Sequence, residues 1–183
     1  MKKNYKKYIL VTGGAGYIGS IVVNKLIKQK FKVIIIDNLS SGHRRLIHKK
    51  SIFINIDILN YNKLLLKLKK YEIQSIFHFA ASIKVDESQK NPKKYFLNNV
   101  IGTENILKIA LQKKIENFIF SSTSAVYGDS SKKSVSEKDS TIPKNNYGLT
   151  KLFAENLVKQ YSKEGKFKYA ILRYFNVIGA DPK

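Results

Sequence analysis

Three side chains have types and spacing that permit acid–base chemistry on a hydroxyl group. Tyr147 and Lys151 lie in the run NYGLTK, four residues apart, which on a helix puts phenol and ammonium one turn apart on the same face. Thr123 lies in the run FSSTSAVYG, one turn past an expected strand over Asn117–Ser121. A tyrosine with a pKa near 10 is only about 0.1% ionised at neutral pH and is a poor base. A positive charge within about 4–6 Å lowers that pKa by roughly 1–3 units, and Lys151 is placed to supply it. Tyr147 would then take a proton from a substrate hydroxyl while Thr123 donates a hydrogen bond to the same oxygen. Tyr-x-x-x-Lys is common in helices by chance, so its weight depends on the elements that position it.

The organising element is Tyr8 to Ser20, YILVTGGAGYIGS. An apolar strand runs directly into Gly13, Gly14, Gly16 and Gly19, and a helix with Ile18, Val22, Leu26 and Ile27 on one stripe follows. Closely spaced glycines allow a tight turn and close approach of a pyrophosphate, and the following helix N-terminus favours negative charge. Gly13, Gly16 and Gly19 are therefore dinucleotide-binding candidates. The spacing is G-x-x-G-x-x-G, not the commoner G-x-G-x-x-G.

FKVIII is a continuous β-branched run, as in strands buried on both faces, and it ends in Asp37, about 20 residues beyond the glycines. A carboxylate there accepts hydrogen bonds from ribose hydroxyls and repels a 2′-phosphate, which selects NAD over NADP. Arg44 and Arg45 lie near enough in sequence to keep NADP as the alternative. A carboxylate-ended third strand, Ser51–Ile56, brings Asp57 and Ile58 to where an adenine would be hydrogen-bonded and covered. A helix starting at Asn60 and a fourth strand over Gln74–Phe79 follow, ending in HFAAS. Ligands of open α/β sheets sit beyond the carboxyl ends of strands, so Phe79, Ala80 and Ala81 become cofactor contacts, and His78 reads as a packed histidine.

Pro92 opens a long helix with Val100, Thr103, Leu107, Ala110 and Leu111 toward the sheet. Asn98 and Asn99 sit among apolar neighbours, where at least one must brace backbone. A polar loop over 128–145 precedes the helix of Tyr147, whose inner faces carry Leu152, Leu157 and Tyr161. Phe167–Arg173 is the sixth strand, leading to RYFNVIGADP. Repeated β–α–β units with right-handed crossovers make this an α/β protein, a doubly wound parallel Rossmann sheet of strand order 3-2-1-4-5-6 forming one domain over residues 1–183.

The formal charge of +21 invites a nucleic-acid reading. The lysines, however, are scattered over nearly every segment alongside abundant Ile and Asn, a pattern that A/T-rich codon usage explains, so no nucleic-acid partner is expected. Cysteine is absent and the three histidines are dispersed, so no metal site is expected. No run approaches the roughly 20 apolar residues of a membrane span, and MKKNYKK lacks a signal-peptide core, so a cytoplasmic location is the default.

Together VTGGAGYIGS, DNLSSG, HFAAS, VDES, NNVIGTENIL, FSSTSAVYGD, YGLTK and LRYFNVIGADP resemble the N-terminal part of the UDP-glucose 4-epimerases, within the extended short-chain dehydrogenase/reductases. That resemblance implies an NAD-dependent isomerase that oxidises a UDP-hexose at C4, turns the 4-keto intermediate over and returns the hydride. It makes Tyr147 the base, Lys151 its electrostatic partner and ribose clamp, and Thr123 the hydroxyl donor. It adds Tyr17, Ile18, Asn38, Ser41, Gly42 and Asn98 to the cofactor contacts, places Phe175 beside the nicotinamide and gives Asn176 to the sugar nucleotide. Ile83 stands where some members have a cofactor-contacting lysine. Sugar-nucleotide dehydratases usually have an acid beside the catalytic hydroxyl, whereas Ser124 and Ala125 follow Thr123 here. Other epimerases, a decarboxylase or a non-catalytic NAD-binding remnant are the alternatives. Family members also have a C-terminal region that holds the nucleotide diphosphate, with no counterpart expected in these residues. A homodimer or a C-terminal partner piece would then complete the site.

Overall fold

The computed structural model describes residues 7–129 and 134–179. Six parallel strands, β1 (Tyr8–Thr12), β2 (Lys32–Asp37), β3 (Ile52–Asn55), β4 (Ile73–His78), β5 (Asn117–Thr123) and β6 (Lys168–Tyr174), form one sheet. Their order is β3-β2-β1-β4-β5-β6, as the sequence predicts. Five residues of β1 pair with Lys32–Ile36 of β2 on one side and reach Ile73 and Ser75–His78 of β4 on the other. β1 and β2 are buried almost throughout, which is why they are continuous β-branched and aliphatic runs rather than alternating ones.

Helices α1 (Tyr17–Lys28), α2 (Tyr61–Leu68), α5 (Gly102–Lys113) and α6 (Asn146–Gly165) cover the sheet. The larger core lies under α2, α5 and α6, where Leu10, Ile34, Ile76, Phe118 and Phe120 meet Leu64, Leu107 and Val158. The smaller core lies under α1, where Ile9, Val11, Val33 and Ile35 meet Val23 and Leu26. Each such side chain contributes about 1.5–3 kcal/mol on leaving water.

The local readings need correction at several points. On α1 the buried line is Gly19, Val23 and Leu26, with Ile18, Val22 and Ile27 only half-buried at its flanks. The long helix from Pro92 is three pieces: α4 (Pro92–Phe96), a π-helical turn (Leu97–Ile101) and α5. A short helix, α3 (Val85–Lys90), precedes them; six residues show too little apolar periodicity to be read from sequence. On α6 the buried residues are Gly148, Thr150, Lys151, Ala154, Glu155, Val158 and Ser162, with Leu157 and Tyr161 packed at the margin of the core. Thr123 is the last residue of β5, not a turn beyond it, and its hydroxyl caps the 3-10 turn that follows. Part of the 128–145 loop, residues 130–133, lies outside the described residues.

A buried polar chain ties the sheet to α5. His78 Nδ1 is 2.6 Å from Thr12 Oγ1, and Nε2 is 2.9 Å from Thr103 Oγ1. Because the Thr103 hydroxyl donates to the Asn99 carbonyl, Nε2–H must donate to Thr103 and Nδ1 must accept from Thr12. The imidazole is thus neutral between Phe118 and Phe120, as a packed histidine should be. Burial, aided by the charge of Lys151, pushes its pKa down from 6.5 to about 3. Between those values the unfolded chain binds a proton that the folded chain refuses, so stability present above pH 6.5 is lost as pH falls toward 3. Urea unfolding should therefore show a loss on the order of 3 kcal/mol between pH 7 and pH 4.5. That slope should be much reduced in His78→Gln; an unchanged slope would refute the assignment.

Candidate functional site

The strand order reverses between β1 and β4, and the glycine turn sits at that reversal. Gly13 has φ +70° and lies so close to β4 that a Cβ would fall 2.6 Å from the Ala80 nitrogen. A Cβ on Gly19 would fall 2.2 Å from the Gly13 carbonyl oxygen, and one on Gly14 would meet Ile35. These three glycines are demanded by internal packing. Gly16 differs: it precedes α1 in extended backbone, and no side chain caps the helix. The first turn of α1 also has no acidic residue, so its N–H groups and positive dipole end are available to an anion.

At the end of β2 the buried carboxylate of Asp37 accepts from Ala15 N–H at 3.0 Å and Leu39 N–H at 2.8 Å. It is thereby held against the glycine turn, one oxygen bound on each side, with lone pairs still available. The Asn38–Gly42 loop folds back over the same turn, since His43 N–H donates to the Ala15 carbonyl and Gly42 packs on Ala15 and Asp37. Asn38 donates to Asp57 at 2.8 Å, closing the rim between β2 and β3, while Ser41 is exposed. Asp57 also accepts from Leu59 N–H. The side chain of Ile58 does not face this rim: it is buried in the larger core against Gly102, and its carbonyl accepts from Asn105. The expectation that Ile58 covers a base with its side chain is therefore corrected; Asp57 alone presents a side chain there.

Across the reversal, Phe79, Ala80 and Ala81 follow β4. Phe79 N–H donates to the Thr12 carbonyl and its ring stacks on Phe77 in the smaller core, so only Ala80 and Ala81 offer small surfaces to the crevice. Of the two asparagines of the π turn, Asn99 is the buried brace. Its amide accepts from Ser82 N–H and donates to the Ser82 carbonyl and to Thr150 of α6. Asn98, the predicted contact, is half-buried and donates to Asn99.

Tyr147 and Thr123 are brought together. Asn145 caps α6 by accepting from Gly148 N–H at 2.7 Å, and a Cβ on Gly148 would fall 2.6 Å from the Ala125 carbonyl oxygen. That close approach seats the first turn of α6 on the turn after β5 and brings the Tyr147 phenol near the Thr123 hydroxyl, which acts to lower its pKa. Lys151 lies one turn deeper, 3% exposed, with its ammonium 4.4 Å from the centroid of the Phe120 ring. Electrostatically the pair does not behave as the spacing suggests. Burial pushes the Tyr147 pKa up, only partly offset by the neighbouring Thr123 hydroxyl, and Lys151 does not reverse it. Lys151 is itself pushed down from 10.5 to about 7 by burial, against the opposing pull of Glu155.

Thr123 pairs with Tyr174 across the last step of the β5–β6 ladder, so Phe175 and Asn176 continue directly from its neighbour, both exposed. Tyr17, also exposed, donates to the Gly179 carbonyl, bringing the segment after β6 back to the start of α1. Sequence reading missed Glu155 and Arg173. Glu155 follows Lys151 by four residues, a spacing that was legible, but a glutamate on a helix usually reads as solvated. No group of metal-binding side chains occurs among the described residues, and no helix there is long and apolar enough to cross a membrane.

Residues 9–183 match the NAD dependent epimerase/dehydratase family. The chain is 43% identical over 174 residues to UDP-glucose 4-epimerase of Halalkalibacterium halodurans, covering 95% of this chain and 52% of that protein. The crystal structure of UDP-glucose 4-epimerase from Brucella ovis in complex with NAD superposes with a TM-score of 0.91 at 40% identity, covering 96% of this chain and 54% of that one. The Thermotoga maritima UDP-glucose 4-epimerase with UDP-glucose superposes with a TM-score of 0.90 at 35% identity, covering 94% of this chain and 56% of that one. The chain spans about half the length of the curated relatives it matches.

The burial of Lys151 generates a test. Its folded pKa lies below its unfolded value, so stability present above pH 10.5 is lost as pH falls toward 7, where holding the side chain inside is costly. Lys151→Met should therefore raise stability at pH 7, on the order of 2 kcal/mol, read as a rise of several degrees in Tm. The gain should shrink toward pH 10; a lower Tm than wild type at pH 7 would show that contacts of the ammonium outweigh its burial.

Proposed function

The chain belongs to the NAD-dependent epimerase/dehydratase family, and from that premise we propose that it binds NAD and inverts C4 of a UDP-hexose, interconverting UDP-glucose and UDP-galactose through a 4-keto intermediate. The observation that carries this reading is the meeting of Tyr147, in the first turn of α6, with Thr123 at the carboxyl end of β5, with Lys151 one turn beneath. The NAD assignment rests on the open N-terminus of α1 beside Gly16 and on the Asp37 carboxylate fixed at the end of β2. In this reading α1 takes the diphosphate, Asp37 the adenosine ribose, Asp57 the adenine, and Ala80 and Ala81 the passage toward the nicotinamide. Bound NAD supplies an acceptor for the C4 hydride and later returns it.

The side chains of the chain do the rest. Thr123 donates to the C4 oxygen and holds it within reach of Tyr147. Tyr147 takes the hydroxyl proton as the carbon loses hydride and gives it back when the ketone is reduced on its other face. Because burial holds Tyr147 protonated, its ionisation draws on positive charge brought into the crevice with the ligands as well as on Lys151. Phe175 and Asn176, exposed and adjacent to the β5–β6 ladder, stand on the sugar side. The nucleotide end of the substrate is assigned to polypeptide that the longer relatives have, contributed by a continuation of the chain or by a partner piece.

The test is to incubate the chain with UDP-galactose and NAD and to look for UDP-glucose. Tyr147→Phe should cut turnover by at least about a hundredfold while leaving NAD affinity within a few-fold of wild type. Turnover retained in that variant removes Tyr147 from the mechanism, and tighter binding of NADP than of NAD overturns the role given to Asp37. NAD binding without conversion would make the chain a cofactor-holding piece.

A further inference from the structure

The candidate site rests on a buried ion pair that lies behind it. Tyr147, Lys151 and Glu155 recur at intervals of four along α6 and share one face. Glu155 is completely buried. Its Oε1 accepts from Ser122 Oγ at 2.5 Å and from Arg173 Nε at 3.0 Å, and its Oε2 accepts from Arg173 Nη2 at 2.7 Å. The remaining arm of the guanidinium donates to the Tyr127 hydroxyl at 3.0 Å, and the group lies 4.9 Å from the centroid of the Tyr127 ring. One carboxylate therefore joins α6 to β5, to the turn after β5 and to β6. Ser122 is the neighbour of Thr123, and Arg173 precedes Tyr174 and Phe175, so every element bearing a candidate residue for the C4 chemistry meets at Glu155.

Such an arrangement is poorly explained as a stabilising device. A buried ion pair contributes little net stability compared with apolar residues of the same volume, and it is most often justified by fixing one geometry. The charge of Glu155 also acts through space on the Lys151 ammonium, one turn away on the same helix face. Tyr147 and Glu155 flank that ammonium one turn to either side on α6, His78 of β4 feels its charge, and Arg173 of β6 reaches Glu155. His78 is neutral, and Arg173 is turned onto Glu155 and Tyr127. Glu155 is the one negative charge among them.

We propose that Glu155, clamped by Arg173 and Ser122, is a positioning residue: its carboxylate sustains the ammonium form of Lys151 and locks α6 in register with the strand end that carries Thr123. The inference rests on the reading of Tyr147 and Lys151 as the working pair. It deepens that reading by making the unit Tyr-x-x-x-Lys-x-x-x-Glu, with an arginine from β6 as its anchor. Burial drives Lys151 toward its neutral form and Glu155 acts against this, so the protonation of Lys151 is balanced near neutral pH.

The experiment is a titration of Lys151 in the intact chain, with lysine labelled at Cε and the Lys151 resonance identified by its loss in Lys151→Met. Wild type should titrate near pH 7. In Glu155→Gln the midpoint should fall by about one unit or more, and Glu155→Asp, which restores the charge, should bring it back toward wild type. An unchanged midpoint in a folded Glu155→Gln overturns the proposal. Should that variant not fold, Arg173→Gln decides: it retains the carboxylate and frees its charge from the guanidinium, so the midpoint should rise, and a fall or no change overturns the proposal. The titration needs no substrate, so it stands apart from the assay of the proposed function. Loss of epimerase activity with the expected shifts present would count against the catalytic reading and not against this one.

Discussion

The site depends on one topological fact with a steric consequence: β1 has β2 on one side and β4 on the other, and the chain leaves these neighbours in opposite directions. Above the carboxyl ends of β1 and β4 the connections part, and the opening left between them is where a ligand of a doubly wound sheet has room. At its base the two strand ends touch so closely that Gly13 has no space for a side chain against Ala80. This contact brings the start of α1, the end of β2 and the segment after β4 to a common rim. Replacing Gly13 by any larger residue would have to separate β1 from β4 and so widen the floor of the crevice itself.

Coupling between the two halves of the crevice runs through buried hydrogen bonds as well as through apolar packing. Thr12 at the end of β1 bonds His78 at the end of β4, His78 bonds Thr103 of α5, and Thr103 bonds the backbone of Asn99. Asn99 in turn ties Ser82 to Thr150, which stands one residue before Lys151. The π turn of Leu97–Ile101 widens the helix where both Asn99 and Val100 must face inward, which an unbroken α-helical turn accommodates less well. Directional bonds of this kind tolerate little sliding, so the glycine turn and the first turns of α6 are held in a fixed relation.

Elements whose burial agrees with their residue types were legible in the sequence. FKVIII reads as a strand buried on both faces, and from Val33 onward it is one, and the strand order followed from repeated β–α–β units. The buried face of α6 was not legible, because its line includes Lys151, Glu155 and Ser162, polar residues that hydropathy assigns to solvent. The apolar residues chosen in their place, Leu152, Leu157 and Tyr161, are only half-buried. Ile58 was misplaced for the opposite reason: it follows a strand end where ligands bind, yet the missing side chain of Gly102 opens a core position that it fills. Adjacency of Tyr147 and Thr123 was readable from the strand-end rule, whereas the upward push on Tyr147 was not, since it arises from the depth of burial, which residue spacing does not encode.

That upward push changes how the pair has to work. Burial raises Tyr147 and lowers Lys151, so both groups are driven toward their uncharged forms. In a dry site, creating a lone phenolate is costly, and creating a lone ammonium is costly for the same reason. Forming them as a pair is cheaper than forming either singly, because each charge is made next to its opposite and the net charge of the site does not change. The useful property of a lysine one turn below the tyrosine is then not a permanent charge that acidifies the phenol at rest. It is a group whose protonation is balanced near neutrality, between burial on one side and the carboxylate of Glu155 on the other, so that its charge responds to what enters the crevice.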